Sequence, residues 1–569
     1  FLVKNSVLPD RVSRVVFLMN KNQTFNVASY LPLMAEKMPA KTAVVSAGDD
    51  ELTHLTFSQL NEESSLYASG LQKIGVKKGQ RVLLMVKPGP QFIALTFALF
   101  RMGAIPILID TGMGISNLLE CIKKVKPDAL ITIPIVHFIK TFRRKFFSSI
   151  KCSVTVGRKF FWEGTTLKTV REKGISDFPP IETKKDDPAA ILFTSGSTGI
   201  PKGVLYEHGM FMAQVEHIKS HYGICEKDVD MPAFPLFALF SAAIGMTCVI
   251  PDMDPTKPAK VNPKKIVSAI EKYEVTTSFG SPAIWDRVGE YCIKYDLRLP
   301  SIKRILMAGA PVPEYVLKRF KNILSDNADT FTPYGATEAL PIASISGSER
   351  LKTETKSQTG AGTSVGKVLP GITIKIIKIT DDPIPEWNDS LLLKKGEKGE
   401  IVVKGDSVTR EYFRMKEQTA LAKILDGGTV WHRMGDIGYF DESNQLWFCG
   451  RKDQRVITKN KTLLTIPCEA IFNRHPAVFR SALVGIGPKN NQRPIIIIEL
   501  KKGKTDRSLS QNQIVKELLD TGQKFEHTRE ITDVLFYQSF PVDIRHNVKI
   551  RREKLAEWAE KQKTGGSRQ

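Results

Sequence analysis

The sequence predicts an α/β protein with a large N-terminal part and a small α+β C-terminal part. Its 569 residues exceed what one hydrophobic core supports, so we expect more than one domain. Strand-like and helix-like runs alternate over most of the first 370 residues, and the pattern then changes to short β-rich runs. These observations together favour a parallel sheet flanked by helices, followed by a smaller unit.

The alternation is clearest near the N-terminus. A helix-like run at residues 60–74 precedes the apolar run 82–86, and a second helix-like run, 91–102, precedes the run 104–109. The pattern returns between residues 264 and 324. Strands that alternate with helices predict βαβ units around a buried sheet.

The pattern changes again in the last third of the chain. Short apolar runs separated by turn residues cover 372–379, 399–403 and 445–449, and a basic stretch then leads into an α+β pattern. The sequence therefore predicts an N-terminal domain of residues 1–450 and a C-terminal domain of residues 451–569.

Composition limits the classes of function. The formal net charge of +22 indicates an anionic partner, which leaves nucleotide, lipid surface, nucleic acid and acidic protein open. No nucleic-acid motif accompanies the charge, so we expect no nucleic-acid partner. The 7 cysteines include no Cys-x-x-Cys pair, which predicts neither a zinc site nor a disulfide framework and suits the cytoplasm. The longest uncharged run, 231–251, contains three prolines, so we expect no transmembrane helix.

A segment rich in glycine and hydroxyl groups follows the apolar run at residues 190–193. It reads T-S-G-S-T-G-I-P-K-G from residue 194, and a helix-like stretch begins at about His208. Glycines let successive N–H groups converge on an anion, and hydroxyls and a lysine add donors for phosphate. The segment predicts a phosphate-binding loop formed by Thr194, Ser195, Gly196, Ser197, Thr198, Gly199 and Lys202.

This decapeptide resembles the signature of the adenylate-forming superfamily, which includes acyl-CoA synthetases, adenylation domains and luciferases. Further motifs in the superfamily's order extend the resemblance over residues 52–555. It implies that the protein activates a carboxylic acid with ATP and Mg²⁺, forms an acyl-AMP and releases pyrophosphate. It also implies an N-terminal domain of two doubly wound sheets plus a β-rich subdomain, and a C-terminal domain that acts as a mobile lid.

The motif Y-G-A-T-E at residues 334–338 resembles the second nucleotide motif of the superfamily. In the superfamily, the tyrosine of this motif lies against adenine. The resemblance implies that Thr337 contacts the α-phosphate and Glu338 binds Mg²⁺, and that both are catalytic residues. Carboxylate oxygen suits a hard cation that bridges phosphates. The resemblance assigns nucleotide contacts to Gly309, Ala310, Pro311, Tyr334, Gly335 and Thr337.

Three further residues take their roles from motifs nearer the C-terminus. Asp436, in W-H-R-M-G-D, and Arg451, in G-R-K-D, resemble the residues that hold the ribose, and a carboxylate can accept both hydroxyls. Asp453 occupies the hinge position between the domains. Lys549 resembles the catalytic lysine, whose ammonium offsets the negative charge that builds up during attack.

The chain departs from the common motifs in ways that bear on its substrate. Ala238 stands where histidine is common in the acyl-pocket motif, Asn547-Val548-Lys549 replaces Ser-Gly-Lys, and Lys459-Asn460-Lys461 replaces the Lys-Gly that flanks the CoA arm. These departures argue against CoA as a second substrate. The resemblance assigns the acyl pocket to Phe237, Ala238, Phe240, Gly280 and Ala336.

The same departures resemble the branch of the superfamily that forms β-lactones in bacterial long-chain olefin biosynthesis. This resemblance implies a long-chain 2-alkyl-3-hydroxy acid as substrate, whose own 3-hydroxyl attacks the activated carbonyl and releases AMP. It also implies an assembly with other olefin-pathway enzymes. The alternative is a fatty acyl-CoA or acyl-AMP ligase that acts on a long-chain fatty acid. An inactive nucleotide-binding relative is disfavoured because the residues assigned to catalysis all remain.

One further segment, residues 136–147, combines aromatic and basic residues. Phe138, Phe142 and Phe146 fall on helical spacing with cations between them. The spacing favours an ordinary helix whose phenylalanines pack on the domain. The alternative is an interfacial helix that makes peripheral contact with an anionic membrane.

Overall fold

The computed structural model describes residues 25–48, 54–194, 201–501, 510–542 and 550–565. The chain divides into two compact units. The first comprises Phe1–Asp252 and Asp406–Lys416, and the second comprises Met253–Gly405 and Glu417–Gln569.

The first unit alternates strands and helices. Its strands are β1 (Thr42–Ser46), β2 (His54–Thr56), β3 (Arg81–Met85), β4 (Ile105–Ile109), β5 (Ala129–Thr132), β6 (Cys152–Thr155), β7 (Thr165–Thr166), β8 (Pro188–Thr194), β9 (Lys202–Glu207), β10 (Val229–Asp230) and β11 (Thr247–Ile250). Its helices are α1 (Tyr30–Lys37), α2 (Phe57–Lys73), α3 (Pro90–Arg101), α4 (Ile115–Val125), α5 (Pro134–Phe142), α6 (Leu167–Lys173), α7 (His208–Tyr222) and α8 (Ala238–Ile244).

Two groups of strands organise this unit. One sheet of the described chain has the order β7-β6-β5-β3-β4-β8-β9 and is parallel except for the antiparallel pair β8–β9. The other group runs β10-β11-β1-β2. Strand β4 is apolar throughout and buried, and every residue of helix α3 except Gln91 is buried, as expected of elements enclosed on both faces. The predicted α/β class is therefore confirmed.

The second unit begins as α/β and becomes β-rich. Its strands are β12 (Thr277–Gly280), β13 (Arg304–Met307), β14 (Asp329–Ala336), β15 (Ala339–Ser346), β16 (Thr363–Val368), β17 (Ile372–Ile377), β18 (Gly399–Gly405), β19 (Lys423–Asp426), β20 (Thr429–Phe440), β21 (Leu446–Arg451), β22 (Val456–Ile457), β23 (Thr462–Leu463), β24 (Val478–Ile486), β25 (Arg493–Leu500) and β26 (Asp533–Phe536). The helices are α9 (Pro263–Tyr273), α10 (Pro282–Lys294), α11 (Glu314–Ile323), α12 (Gly347–Lys352), α13 (Glu354–Lys356), α14 (Lys416–Ala422), α15 (Thr465–Phe472), α16 (Gln511–Gln523) and α17 (Arg552–Gly565).

A continuous path of strands runs through this unit in the order β12-β13-β14-β15-β16-β21-β20-β18-β17. The pairs β12–β13 and β13–β14 are parallel, whereas those from β14 to β17 are antiparallel. The β-rich character predicted from the runs 372–379, 399–403 and 445–449 therefore comes from antiparallel strands that extend a parallel sheet.

The C-terminal part of the second unit has hydrophobic cores of its own. Strands β24 and β25 are antiparallel, β26 pairs parallel to β25, and buried residues between Val456 and Ala559 form two clusters around them. The predicted domain boundary near residue 450 lies just before these cores and stays a prediction. No helix in the described ranges is both long enough and apolar enough to cross a bilayer.

Candidate active site

The ends of three parallel strands bring several predicted site residues to one edge of the sheet. Gly280 is the last residue of β12 and pairs with Met307 of β13, and the N–H of Ala308 donates to the carbonyl of Gly280 at 3.1 Å. Gly309, with a φ of 89°, begins the loop after β13. In open α/β sheets, ligands bind at the carboxyl ends of parallel strands. The edge therefore brings together the predicted residues Gly280, Gly309, Ala310, Pro311, Tyr334, Gly335, Ala336, Thr337 and Glu338.

Thr337 and Glu338 form the turn between β14 and β15, and both are half-buried. The turn depends on the glycine before it. A Cβ atom on Gly335 would lie 2.5 Å from the carbonyl oxygen of Ala339, closer than real Cβ atoms approach backbone. The position of the predicted α-phosphate and Mg²⁺ residues is thus fixed by a tight hairpin.

A buried carboxylate connects this hairpin to strands β20 and β21. The Tyr334 hydroxyl donates to Oδ2 of Asp436 at 2.6 Å, and the Arg451 guanidinium donates to Oδ1 at 2.7 Å. Asp436 and Arg451 are direct partners in the β20–β21 register. Three residues that the sequence assigned to the nucleotide therefore form one hydrogen-bonded group.

The electrostatics of this group suit a ligand with hydroxyl groups. Burial raises the pKa of Asp436, although Arg451 and the Tyr334 hydroxyl oppose the shift, and the neighbouring carboxylate raises the pKa of Arg451. Each Asp436 oxygen accepts one of these two hydrogen bonds, and a carboxylate oxygen can accept a second. The Arg451 Nε is buried and has no hydrogen-bond partner among the described residues. The carboxylate could therefore still accept two hydroxyls, as a ribose diol requires.

Asp453, the predicted hinge residue, lies in a short turn between two anchored cations. Asp453 is exposed, while Lys452 Nζ lies 3.0 Å from a carboxylate oxygen of Glu400 and donates to the carbonyl of Thr380 at 2.9 Å. Arg455 forms an ion pair of 2.9 Å with Asp381. The backbone is thus held on both sides of Asp453, and the side chain itself is exposed.

The predicted phosphate loop joins two antiparallel strands. Thr194, the last residue of β8, pairs with Lys202, the first residue of β9, and helix α7 begins at His208 as predicted. A strand therefore separates the loop from its helix, which the sequence pattern did not reveal. Lys202 Nζ lies 4.9 Å from the centroid of the Tyr412 ring. The predicted residues Ser195, Gly196, Ser197, Thr198 and Gly199 lie outside the described residues, as does the side chain of Thr194.

The predicted acyl-pocket residues of the first unit lie around the start of α8. Phe240 stacks on Phe211 with ring centroids 4.7 Å apart, and Phe237 lies 5.5 Å from Phe240. Ala238 is fully buried, so a larger side chain there would have to displace its neighbours. These contacts form an aromatic cluster beside a small residue.

The predicted catalytic residue Lys549 lies outside the described residues and stays a prediction. The described chain on either side of it is well anchored. Val542 and Ile550 form a β-bridge, and Arg552 donates to both carboxylate oxygens of Glu469 at 2.6 and 2.8 Å. The backbone N–H of Leu483 also donates to Glu469 at 2.9 Å.

Two buried ion pairs escaped the sequence analysis. Arg433 pairs with Glu400 at 2.7 Å with both side chains almost fully buried, and Arg552 pairs with Glu469. Both glutamates are followed by apolar residues in the sequence, which is the local signal for their burial. Their partners lie 33 and 83 residues away, so no spacing rule could have paired them.

The strand edge and the buried carboxylate–arginine pair of the second unit suit a nucleotide-binding enzyme. The chain belongs to the AMP-binding enzyme family, whose sequence profile matches residues 33–413. It is 42% identical over 554 residues to the olefin beta-lactone synthetase of Stenotrophomonas maltophilia, covering 95% of this chain and 98% of that protein. It is also 42% identical over 552 residues to the olefin beta-lactone synthetase of Xanthomonas campestris, with the same coverage.

The fold is also similar to solved structures. The amide bond synthetase McbA from Marinactinospora thermotolerans superimposes with a TM-score of 0.75 at 21% identity, covering 94% of this chain and 99% of that one. Because the identity is low, this similarity concerns the fold alone. It confirms the predicted fold class.

Proposed function

We propose that the protein adenylates a long-chain 2-alkyl-3-hydroxy acid with Mg-ATP and closes the product to a β-lactone. In the first step, a carboxylate oxygen attacks the α-phosphorus of ATP, the bond to the β-phosphate breaks and pyrophosphate leaves. In the second step, the substrate's 3-hydroxyl oxygen attacks the acyl carbon, the hydroxyl proton is lost and AMP leaves.

The observation on which this proposal rests is similarity along both whole chains. An identity of 42% covers 95% of this chain and 98% of an olefin beta-lactone synthetase, so the similarity extends through both the N-terminal and the C-terminal parts. A family match alone would support only acid activation. The product is therefore inferred from the relatives, and the activation step from the site.

The described residues can hold the nucleotide. Asp436 and Arg451 would bind the ribose hydroxyls, with Tyr334 beside the base. The phosphate-binding role of Lys202 rests on its motif alone. Mg²⁺ is commonly held by one or two carboxylates together with substrate phosphates, so Glu338 at the hairpin turn fits this role. When bound, the ion would neutralise phosphate charge as pyrophosphate leaves.

An internal nucleophile requires no channel for a second substrate, because attachment to the same molecule supplies the proximity. The segment after the hinge is where the sequence departs from the CoA ligases. Thr458 and Lys461 close a short hairpin through a backbone hydrogen bond of 2.9 Å. Lys461 Nζ also donates to the carbonyl of Glu526 at 2.7 Å. These contacts fix a tight hairpin in the segment that, by the resemblance, flanks the CoA arm in CoA ligases.

Product analysis tests the proposal. The purified protein is incubated with Mg-ATP and a synthetic 2-alkyl-3-hydroxy acid, with and without CoA, and the products are identified by NMR. We expect a β-lactone in both samples and AMP in equal amount. A thioester that forms only with CoA would replace the proposal with an acyl-CoA ligase, the second candidate of the sequence analysis.

The predicted catalytic lysine is tested in the same assay. Lys549→Ala should abolish acyl-AMP formation while leaving ATP binding intact, because the lysine acts on charge that develops during the attack. Lys554→Ala is the matched control, since Lys554 is a nearby exposed lysine. Equal loss in both variants would argue against a specific role for Lys549.

A further inference from the structure

Helix α5 presents phenylalanine side chains to solvent. Phe138 is 46% exposed and Phe142 is 70% exposed, and their ring centroids lie 4.9 Å apart. Val136 and His137 are the buried residues of this helix. The expectation that the phenylalanines of this segment pack on the domain is therefore wrong for Phe138 and Phe142, because the helix turns other residues inward.

The third phenylalanine of the predicted stripe behaves differently. Helix α5 ends at Phe142, and Phe146 belongs to a following 3₁₀ turn that packs against the core of the first unit. The helical spacing therefore extended beyond the helix. What remains exposed is a pair of adjacent rings at its C-terminal end.

A neighbouring loop adds a second pair of exposed rings. Phe160 is 52% exposed and Phe161 is 73% exposed. Between the loop and the helix, Trp162 stacks on His137 with centroids 5.1 Å apart and an interplanar angle of 9°, and the Trp162 Nε1–H donates to Thr155 Oγ1 at 2.9 Å. The two pairs of rings are thus held on adjacent, mutually packed segments.

In the sequence, cations flank these rings with almost no opposing charge. Residues 134–163 contain seven Lys or Arg and a single carboxylate, Glu163. The guanidinium of Arg158 lies 5.2 Å from the centroid of the Phe160 ring. We call the following set the aromatic-basic patch: Phe138, Phe142, Arg143, Arg144, Lys145, Arg158, Lys159, Phe160 and Phe161, all of them exposed.

We propose that the aromatic-basic patch docks the protein on an anionic lipid surface. Exposed phenylalanine rings enter the boundary between headgroups and acyl chains, and surrounding Lys and Arg side chains attract lipid phosphates. The patch combines one sign of charge with exposed apolar rings, which is the composition of segments that lie at anionic membrane interfaces. The patch shares no residue with the candidate active site, so the proposal does not rest on the proposed reaction.

Vesicle binding tests the proposal directly. The full-length protein is sedimented with vesicles of phosphatidylcholine alone or of phosphatidylcholine with phosphatidylglycerol, without substrate, at low and high salt. We expect binding to the anionic vesicles at low salt, weakened by salt and nearly absent on the neutral vesicles. No binding to anionic vesicles at low salt would overturn the proposal.

Two patch variants identify the surface. Phe142→Ser with Phe161→Ser removes two rings, and Arg143→Glu with Arg144→Glu reverses two charges. Each should lower the vesicle partition coefficient at least about tenfold, because each buried ring and each surface cation contributes to membrane affinity. ATP–pyrophosphate exchange in the absence of vesicles should be unchanged in both.

Matched controls lie in the second unit. Phe479 is 55% exposed beside Arg480, and Lys264 and Lys265 are consecutive exposed lysines. Phe479→Ser therefore removes one exposed ring, and Lys264→Glu with Lys265→Glu reverses two charges, outside the patch. The controls should bind anionic vesicles like the parent protein. Equal weakening by the controls would overturn the proposal. Self-association of the parent protein that the patch variants abolish, with vesicle binding unchanged, would overturn it in favour of a protein interface.

Discussion

The hydroxyl of Tyr334 and the carboxylate of Asp436 are joined by a hydrogen bond of 2.6 Å, although the two residues are 102 positions apart. The sequence motifs assign the first to adenine and the second to ribose. Their contact means that the predicted surface for the base and the predicted acceptor for the sugar are held as one group. Arg451 completes the group from the opposite oxygen.

Changing Tyr334 separates the two roles of its side chain. Tyr334→Phe removes the donor and keeps the ring, so we expect a loss of about 1 kcal/mol in ATP binding, a rise of about fivefold in KM. Tyr334→Ala also removes the aromatic surface and should cost at least about tenfold more. ATP–pyrophosphate exchange measures both. Equal losses would mean that the hydroxyl, and not the ring, is the important group.

The stability of the first unit should depend on Asp230. Burial raises the pKa of this carboxyl to about 7, and Ser241 Oγ donates to it at 2.5 Å. Between the unfolded and folded pKa values the folded state binds the extra proton, so the free energy of unfolding falls as pH rises from about 4 to about 7 and is then constant.

Asp230→Asn keeps the acceptor for Ser241 and removes the ionisation. The variant should gain about 1–3 kcal/mol over the parent protein at about pH 8 and have no advantage at about pH 4. Urea unfolding at the two pH values measures the difference. A constant difference across that range would contradict the assignment.

The ion pair between Glu469 and Arg552 should be important for the stability of the C-terminal part. Arg552→Met would leave a buried carboxylate without its cation, and we expect a loss of about 3–5 kcal/mol in the free energy of unfolding. Combining it with Glu469→Gln removes the charge but keeps the acceptor for Leu483, and should recover most of the loss. Thermal unfolding of the single and double variants measures this. A double variant as unstable as Arg552→Met would exclude the unpaired charge as the cause.

The predicted hinge at Asp453 can be tested by restricting the backbone rotation of this residue. Asp453→Pro fixes φ at one position, so we expect a near-normal first turnover of acyl-AMP formation and at least about tenfold slower multiple turnover. Asp453→Ala, which changes only an exposed side chain, is the control and should retain both rates. Rapid-quench kinetics separates the two phases. Normal multiple turnover in the proline variant would contradict a hinge at this residue.

The local elements could be predicted because burial imposes a period on the sequence. The helix-like run 60–74 corresponds to Phe57–Lys73, and the apolar run 82–86 corresponds to the strand Arg81–Met85. The errors are one to three residues at the ends, where a capping box between Thr56 and Gln59 starts the helix earlier than its apolar pattern does.

The contacts between distant elements could not be predicted from patterns. The sequence motifs placed Asp436 and Arg451 together only through a resemblance. No local sequence pattern indicates that Tyr334 contacts Asp436 or that Glu469 contacts Arg552. The exposure of Phe142 was also missed. Phenylalanines at helical spacing give the same sequence pattern whether they face the core or the solvent. In the structure, Val136 and His137 are the buried residues of this helix, so the face with Phe138 and Phe142 is exposed.

Both hydrophobic clusters of the C-terminal part draw their described members from residues 456–559. The C-terminal part could therefore be replaced as a unit by the corresponding part of a relative. A recombination breakpoint between Arg451 and Val456 would cut only a turn and leave each cluster intact. A donor sequence would have to match the contacts of α15 with residues 357–361 and with β21, and the ion pairs of Lys452 with Glu400 and Arg455 with Asp381. A chimera could thus carry the C-terminal part of a relative and keep the hydrogen-bonded group of Tyr334, Asp436 and Arg451.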